Sequence, residues 1–170
     1  MRVYVPLNSV GLRRLVAEAV LGPSPVTAFA VTPGLREWYL DDDIEELEYA
    51  ASGEAARASL RLIAADSSSV PRRIVVSADV PEGSLEVRDD LDRGVVKIQS
   101  VIPIAWCASI HVDDAEAEDS VRSAAELIDA ADLGDPDAQD VVDDAEAFEL
   151  AWYATQELDD VLADVGDLDG

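Results

Sequence analysis

The chain has 170 residues, 49% of them hydrophobic, which is enough for one folded domain with an ordinary core. It carries 37 Asp and Glu against 12 Lys and Arg, and the formal net charge is -25. Such a surface repels nucleic acid and anionic lipid, whereas basic proteins, cationic ligands and metal ions are attracted to it, so direct binding to nucleic acid or to a membrane surface is not expected.

The cysteine content and the apolar segments limit the class of protein further. Cys107 is the single cysteine, so neither an intramolecular disulfide nor a Cys-rich zinc site is expected. The first segment, RVYVPL, is too short and too alternating for the apolar part of a signal peptide. No apolar run approaches the roughly 20 residues of a membrane helix. We therefore expect a cytoplasmic protein.

Residues 1–65 predict two strands and three helices. RVYVPL alternates as a strand does, and VTAFAVT is a second short apolar run. The helices are indicated by capping residues and by apolar residues at helical spacing. They are expected from Asn8 or Ser9 to about Gly22, from Pro33 with Thr32 as its cap, and from Asp43 to about Ala65.

The middle of the chain predicts an antiparallel meander of three or four strands. After the turn signal SSSVP come segments rich in β-branched residues, and the acidic turn DDLDRG and Pro103 divide them. These segments are RRIVVSADV, SLEVRDD, VVKIQSVIPI and WCASIHV.

Residues 113–170 predict two more helices. The first is expected to begin at Asp113 or Asp114 and to end near Gly134. Asp135 followed by Pro136 then begins a long C-terminal helix that continues through Leu162.

Together these elements predict a single α+β domain over residues 1–170. We expect a mixed or antiparallel sheet of about five strands, packed with four or five helices that include the long C-terminal one. The acidity is concentrated in residues 112–170, which hold 21 carboxylates and one Arg for a net charge of -20. Residues 1–111 hold 16 carboxylates and 11 cations, a net charge of -5.

Two segments combine aromatic and acidic residues, REWYLDDDIEELEYAA and EAFELAWYATQEL. Their candidate binding residues are Trp38, Tyr39, Glu48, Tyr49, Glu149, Trp152 and Tyr153. Packing of the aromatic rings is the favoured interpretation, because aromatics at helical spacing usually face a core. The acids at Asp42, Glu45 and Glu46 fit the first turn of a helix, where its dipole favours negative charge. If the aromatics lie at the surface instead, they are expected to anchor an interface.

Glu48 and Glu149 form a second, less favoured hypothesis. A carboxylate pair across two packed helices is typical of metal or acid/base sites in bundles. Such sites normally add histidine, and the pattern here has none, so unrelated surface carboxylates are the preferred interpretation. No metal, cofactor or catalytic residue is predicted, and a non-enzymatic role is preferred over an enzymatic one.

Other chemistry has little support in the sequence. The chain has no P-loop, no G-x-G-x-x-G and no G-x-S-x-G motif. His111, followed by Asp113 and Asp114, is interpreted as a half-exposed strand residue, with a protonated imidazole or weak ion site as the alternative. Cys107 is interpreted as a buried thiol. The paired arginines are expected to form ion pairs with the abundant carboxylates.

The chain resembles a known family in the segments MRVYVP, AFAVTPGLREWY, EELEYAA, AARASLRL, RRIVVSADV, IHVDDAEAE, DLGDPDAQD and FELAWYATQEL. It is similar to an uncharacterised family of small acidic cytoplasmic proteins from high-GC Gram-positive bacteria, which has no assigned function. The resemblance implies a cytoplasmic bacterial protein of one domain and supplies no catalytic residue.

Three functional hypotheses follow. The first is a non-enzymatic interaction protein whose acidic C-terminal third docks a basic partner protein. The second is a metal-binding protein or enzyme that works through clustered carboxylates. The third is a decoy that presents carboxylates like nucleic-acid phosphates to a DNA-binding protein. A surface that only confers solubility is the simplest alternative to all three.

Overall fold

A computed structural model describes residues 1–39 and 43–166. Within these residues the chain forms six α-helices, which are α1 (Ser9–Glu18), α2 (Pro33–Tyr39), α3 (Ile44–Ala65), α4 (Glu118–Asp132), α5 (Pro136–Glu146) and α6 (Leu158–Gly166). It forms nine strands in the same range, which are β1 (Arg2–Leu7), β2 (Val20–Leu21), β3 (Val26–Phe29), β4 (Ile74–Asp79), β5 (Leu85–Val87), β6 (Val95–Ile98), β7 (Ile102–Pro103), β8 (Cys107–Val112) and β9 (Ala151–Ala154). The predicted α+β class is confirmed.

The main sheet has seven antiparallel strands in the order β5-β6-β3-β1-β4-β8-β9. Strands β2 and β7 form a separate antiparallel pair. The prediction of about five strands was therefore too low. The strands that were not predicted separately, β2, β7 and β9, are only two to four residues long, too short to display an alternating pattern of their own.

The two faces of the main sheet pack against different helices. Because strand side chains alternate, Val5, Val76 and Ile110 lie on one face, in a core shared with α1 and α6. Tyr4 and Val75 lie on the opposite face, in a core that includes residues of α2 and α3. This second face carries the polar groups described below.

The predicted helix starts are largely confirmed. Asn8 and Asp135 accept hydrogen bonds from the first-turn amides of α1 and α5, and Asp43 does the same for α3. Thr32 Oγ1 accepts from Leu35 N at the start of α2. Asp42, which the sequence placed beside the start of α3, lies outside the described residues.

The long C-terminal helix was predicted wrongly. Helix α5 ends at Glu146, and strand β9 and helix α6 follow. The carbonyl of Phe148 accepts a hydrogen bond from Arg73 Nη2 at 2.9 Å, and Ala151–Ala154 then pairs with β8. Phe148 and Trp152 are spaced as on a helix, but pairing with a distant strand outweighs that local preference.

A third layer lies over α3. Helices α4 and α5 pack against each other and against the C-terminal half of α3, in a core that contains Leu60, Ile63, Val121, Ile128 and Val142. Ser59 joins α3 to the sheet, because its hydroxyl donates to the Leu7 carbonyl at 2.6 Å and accepts from Ile74 N at 3.1 Å. None of the described helices is both long enough and apolar enough to cross a membrane.

Candidate functional site

Helices α4 and α5 carry exposed carboxylates whose side chains have neither an ion pair nor a hydrogen bond among the described residues. We call this set, Glu126, Asp129, Asp137, Asp140 and Asp144, the acidic surface. On α5, Asp137, Asp140 and Asp144 are three and four residues apart and so share one side of the helix. Helix α5 contains no Lys or Arg that could neutralise them.

The arginines near this hairpin are engaged by carboxylates, Arg122 of α4 by Asp119 at 3.0 Å and those of α3 by Asp132 and Glu146. Asp132 accepts hydrogen bonds from Arg61 Nε at 2.7 Å and from Arg57 Nη2 at 3.1 Å. Arg57 also reaches Glu146 at 3.4 Å, which connects α3 to both helices of the hairpin. The hydrogen bond from Arg61 holds the pKa of Asp132 below its usual range. The expected pairing of these arginines with carboxylates is confirmed, and the acidic surface is left without them.

The aromatic candidates on α2 and α3 lie at the surface rather than in a core. Trp38 and Tyr49 are 63% and 71% exposed, and Tyr39 is also exposed. The Arg93 guanidinium lies 3.5 Å from the centre of the Trp38 ring, so this tryptophan has one cation-π contact within the chain. The packing interpretation of these three residues was wrong, because the residues that face the core are Leu35 on α2 and a row on α3 that begins with Leu47 and Ala51.

The aromatic candidates on β9 point to opposite faces of the sheet. Trp152 pairs with His111 in the strand register and is 62% exposed. Tyr153 lies on the face of α6 and lines a small cavity with Val112, Glu157, Asp160, Val161 and Asp164. Strand β9 therefore separates an exposed indole from an acid-lined cavity.

Glu48 and Glu149 are not placed on two packed helices. Glu48 is half-buried on α3, where its Oε2 lies 3.4 Å from the Tyr4 hydroxyl. Glu149 lies exposed in the turn after α5. The helical premise of that hypothesis is thus wrong, since the predicted long helix ends before Glu149. Among the described residues no group of three or more His, Cys, Asp or Glu could hold a metal ion.

The Tyr4 hydroxyl belongs to a polar area on the α3 face of the sheet. Burial, together with the Glu48 carboxylate, raises the pKa of Tyr4 to about 12, so the phenol stays protonated. Arg2 at the same end of the sheet pairs with Asp79, with Nε 2.8 Å from Oδ1 and Nη2 3.1 Å from Oδ2. These groups are satisfied within the chain.

The match to a protein family extends over nearly all of these elements. The model of DUF6912, a family of unknown function, matches residues 1–162. The chain belongs to DUF6912. No curated protein and no solved structure matches it. The resemblance to a family without assigned function is confirmed, while the bacterial range expected for that family stays a prediction.

This member of DUF6912 also has two serine hydroxyls and an imidazole joined by hydrogen bonds, which the sequence did not predict. The hydroxyls of Ser77 and Ser109 are hydrogen-bonded across β4 and β8, and Ser109 Oγ lies 2.9 Å from His111 Nε2. Burial and the charge of Arg2 lower the pKa of His111, which disfavours the alternative of a protonated imidazole. Residues two apart on one strand share a face, so the His111–Ser109 contact was visible in the pattern S-I-H.

Asp113 has a structural role instead of acting on His111. Arg73 Nε and Nη2 each lie 2.8 Å from an oxygen of Asp113, and the backbone amide of Arg73 donates to the same carboxylate at 2.8 Å. Both side chains are buried, and of the two predicted helix starts it is Asp114 that caps the turn leading into α4, where its side chain accepts from Glu116 N. Cys107 is only half-buried, and burial raises the pKa of its thiol to about 11.

Proposed function

We propose that this protein is a non-enzymatic interaction protein that docks a basic partner protein through its C-terminal third. The observation that carries the proposal is the acidic surface, whose carboxylates are exposed and lack ion pairs within the described chain. The nearby arginines Arg57 and Arg61 are held against Asp132 and Glu146. The negative charge of the hairpin is therefore available to a partner.

The spacing on α5 supports this interpretation. Like charges three or four residues apart on a helix destabilise it by roughly 0.2 to 0.5 kcal/mol per pair. Asp140 stands in this relation to both Asp137 and Asp144. A basic partner would relieve that repulsion on binding, so complex formation and helix stability favour the same state. Such an interaction is expected to weaken as salt increases.

An exposed apolar residue lies beside the same surface. Leu133, in the connection between α4 and α5, is 90% exposed and lies next to Asp132 and two residues before Asp135. This side chain adds apolar contact area next to the acidic surface.

The experiment uses the intact chain as bait at low salt, with elution by a salt gradient. The test variant is Asp137→Asn/Asp140→Asn/Asp144→Asn. The matched control is Glu37→Gln/Glu82→Gln/Glu86→Gln, which removes the same charge from exposed positions outside the hairpin. We expect wild type and control to retain the same basic protein and the test variant to lose it. Equal retention by the test variant and the control contradicts docking through this surface.

Duplex DNA added as a competitor distinguishes the two kinds of acidic binder. If DNA displaces the chain from its partner, the partner uses a nucleic-acid-binding face, and the decoy hypothesis replaces the general docking protein. If the partner binds DNA and the chain simultaneously, the docking proposal stands and the decoy hypothesis fails.

A further inference from the structure

Strand β9 is an edge of the main sheet and has no protecting residue within its four positions, although Glu157 Oε2 accepts a hydrogen bond from the Ala154 amide at 2.8 Å. It is last in the strand order, and its outer side has no strand partner among the described residues. Beyond a short length, which β9 shares, natural edge strands are commonly protected by charged residues, proline or bulges. The four residues of β9, Ala-Trp-Tyr-Ala, include none of these, although 29% of the chain is charged. The opposite edge, β5, carries Glu86 at its centre.

The side chains beside this edge differ on the two faces of the sheet. Trp152 presents an exposed ring on one face. On the other, Tyr153 borders the cavity whose lining includes three carboxylates, Glu157, Asp160 and Asp164. An added strand would thus meet an apolar platform on one side and negative charge on the other.

We propose that β9 binds an extended basic segment of the partner protein as an additional strand. One Arg or Lys of that segment enters the cavity beside Tyr153, and a neighbouring apolar residue packs on Trp152. The inference rests on the proposed function, since it names the docking mode of the same basic partner. Addition to a sheet edge takes affinity from main-chain hydrogen bonds and specificity from alternating side-chain contacts.

The dimensions of a sheet bring such a segment within reach of the cavity. Directly opposed side chains on antiparallel strands have Cβ atoms about 4.5 to 5.5 Å apart, so a long cationic side chain opposite Tyr153 reaches the carboxylates beside it. Two of the three are already engaged, because Asp164 binds Arg72 Nη1 at 2.8 Å and Glu157 Oε2 accepts from Ala154 N at 2.8 Å. Asp160 has no such bond among the described residues and is the expected partner of the incoming cation.

A second copy of the chain fits this edge poorly. Each copy has a net charge of -25, and pairing two β9 strands would bring the carboxylates around both cavities together. Like charges placed against each other oppose association, whereas a basic segment is attracted. Charge therefore favours a basic segment over a second copy of the chain, although the backbone of β9 could pair with either.

The test uses the full chain and a defined probe, an octapeptide of alternating Arg and Val. Two further peptides have the same charges, one N-methylated at every Val and the other at every Arg. Because a strand pairs through one of its edges, we expect one methylated form to lose about tenfold or more in affinity. Binding of the parent peptide is also expected to slow amide hydrogen exchange in residues 151–154.

A matched pair of variants tests the cavity. We expect Asp160→Asn to weaken parent-peptide binding by several-fold more than Asp140→Asn, which removes an equal charge on α5. Circular dichroism spectra matching the wild type show that both variants are folded.

The outcomes separate this inference from the proposed function. If both methylated peptides bind like the parent and the two variants are equivalent, the peptide binds by charge alone; strand addition is then overturned and acidic docking stands. If no peptide binds at low salt, strand addition is overturned as well. The proposed function is judged independently, by whether the basic partner is lost from the α5 variant.

Discussion

Arg73 and Asp113 lie in the interior, with 2% and 1% of their surface exposed, whereas the carboxylates of the acidic surface face solvent without ion pairs among the described residues. The interior pair joins the start of β4 to the end of β8 and holds the Phe148 carbonyl. Breaking it leaves an isolated charge in a site with little water, which is costly. Removing an exposed carboxylate costs little. The same residue types are therefore structural in one region and available for binding in the other.

Asp113→Ala tests the interior region and has the largest expected effect. The substitution leaves the Arg73 guanidinium buried without its carboxylate, and we expect a loss of roughly 3 to 5 kcal/mol in the free energy of unfolding. Denaturant unfolding measures it, with Glu126→Gln on the acidic surface as the control, expected within about 0.5 kcal/mol of wild type. A loss at Asp113 no larger than at Glu126 would remove the distinction between the two regions.

Ser59→Ala tests the junction of α3 and the sheet without changing charge. It leaves the carbonyl of Leu7 and the amide of Ile74 without the hydroxyl that both contact. We expect a loss of roughly 1 to 3 kcal/mol in unfolding free energy, because buried polar groups would be left unpaired. Ser67→Ala, at an exposed position, is the control and should unfold at the wild-type denaturant concentration. Equal midpoints for the two variants would contradict this account of Ser59.

His111 predicts a smaller, pH-dependent effect in the same region. Because burial lowers the pKa of the folded imidazole, the unfolded chain binds a proton near the ordinary pKa of 6.5 and the folded chain does not. The stability contributed by neutral His111 therefore decreases as pH falls through about 6.5 toward the lower folded pKa. The difference in stability between wild type and His111→Gln should decrease over that range. A folded imidazole that titrates above 6.5 by NMR contradicts the sign.

Asp140→Asn tests the acidic surface and has the smallest expected effect. It removes repulsion with Asp137 and Asp144, and we expect stabilisation by a few tenths of a kcal/mol at low salt. The gain should diminish at high salt, because screening already reduces the repulsion. Thermal unfolding at two salt concentrations measures it. Destabilisation at low salt would mean that Asp140 has a structural contact in the folded chain.

Much of the fold could be predicted because its signals are local. Asn8, Thr32 with Pro33, and Asp135 with Pro136 mark helix starts through chemistry that acts within one turn. The C-terminal region could not be predicted in this way. Phe148 and Trp152 fit a helical period, while the partner that makes Ala151–Ala154 a strand lies about 40 residues away in β8. The local sequence pattern gives no information about that strand pairing.

The candidate site, like the fold, could be predicted from the sequence only in part. The excess of carboxylates in residues 112–170 is a matter of composition and was visible in the sequence. The sequence did not show which of these acids remain unpaired. That depends on the packing of α3 on the α4 and α5 hairpin, which brings Arg57 and Arg61 against Asp132 and Glu146. The exposure of Trp38 and Tyr49 was not visible in the sequence either, because it depends on which residues of α2 and α3 face the core.

The most direct test of the docking proposal is the affinity for the captured basic partner as a function of salt concentration. Wild type and the control Glu37→Gln/Glu82→Gln/Glu86→Gln are compared with Asp137→Asn/Asp140→Asn/Asp144→Asn. The account predicts a steep loss of affinity with salt for the first two, and a weaker affinity with a flatter salt dependence for the third. Identical salt dependence for all three proteins would contradict docking through the acidic surface.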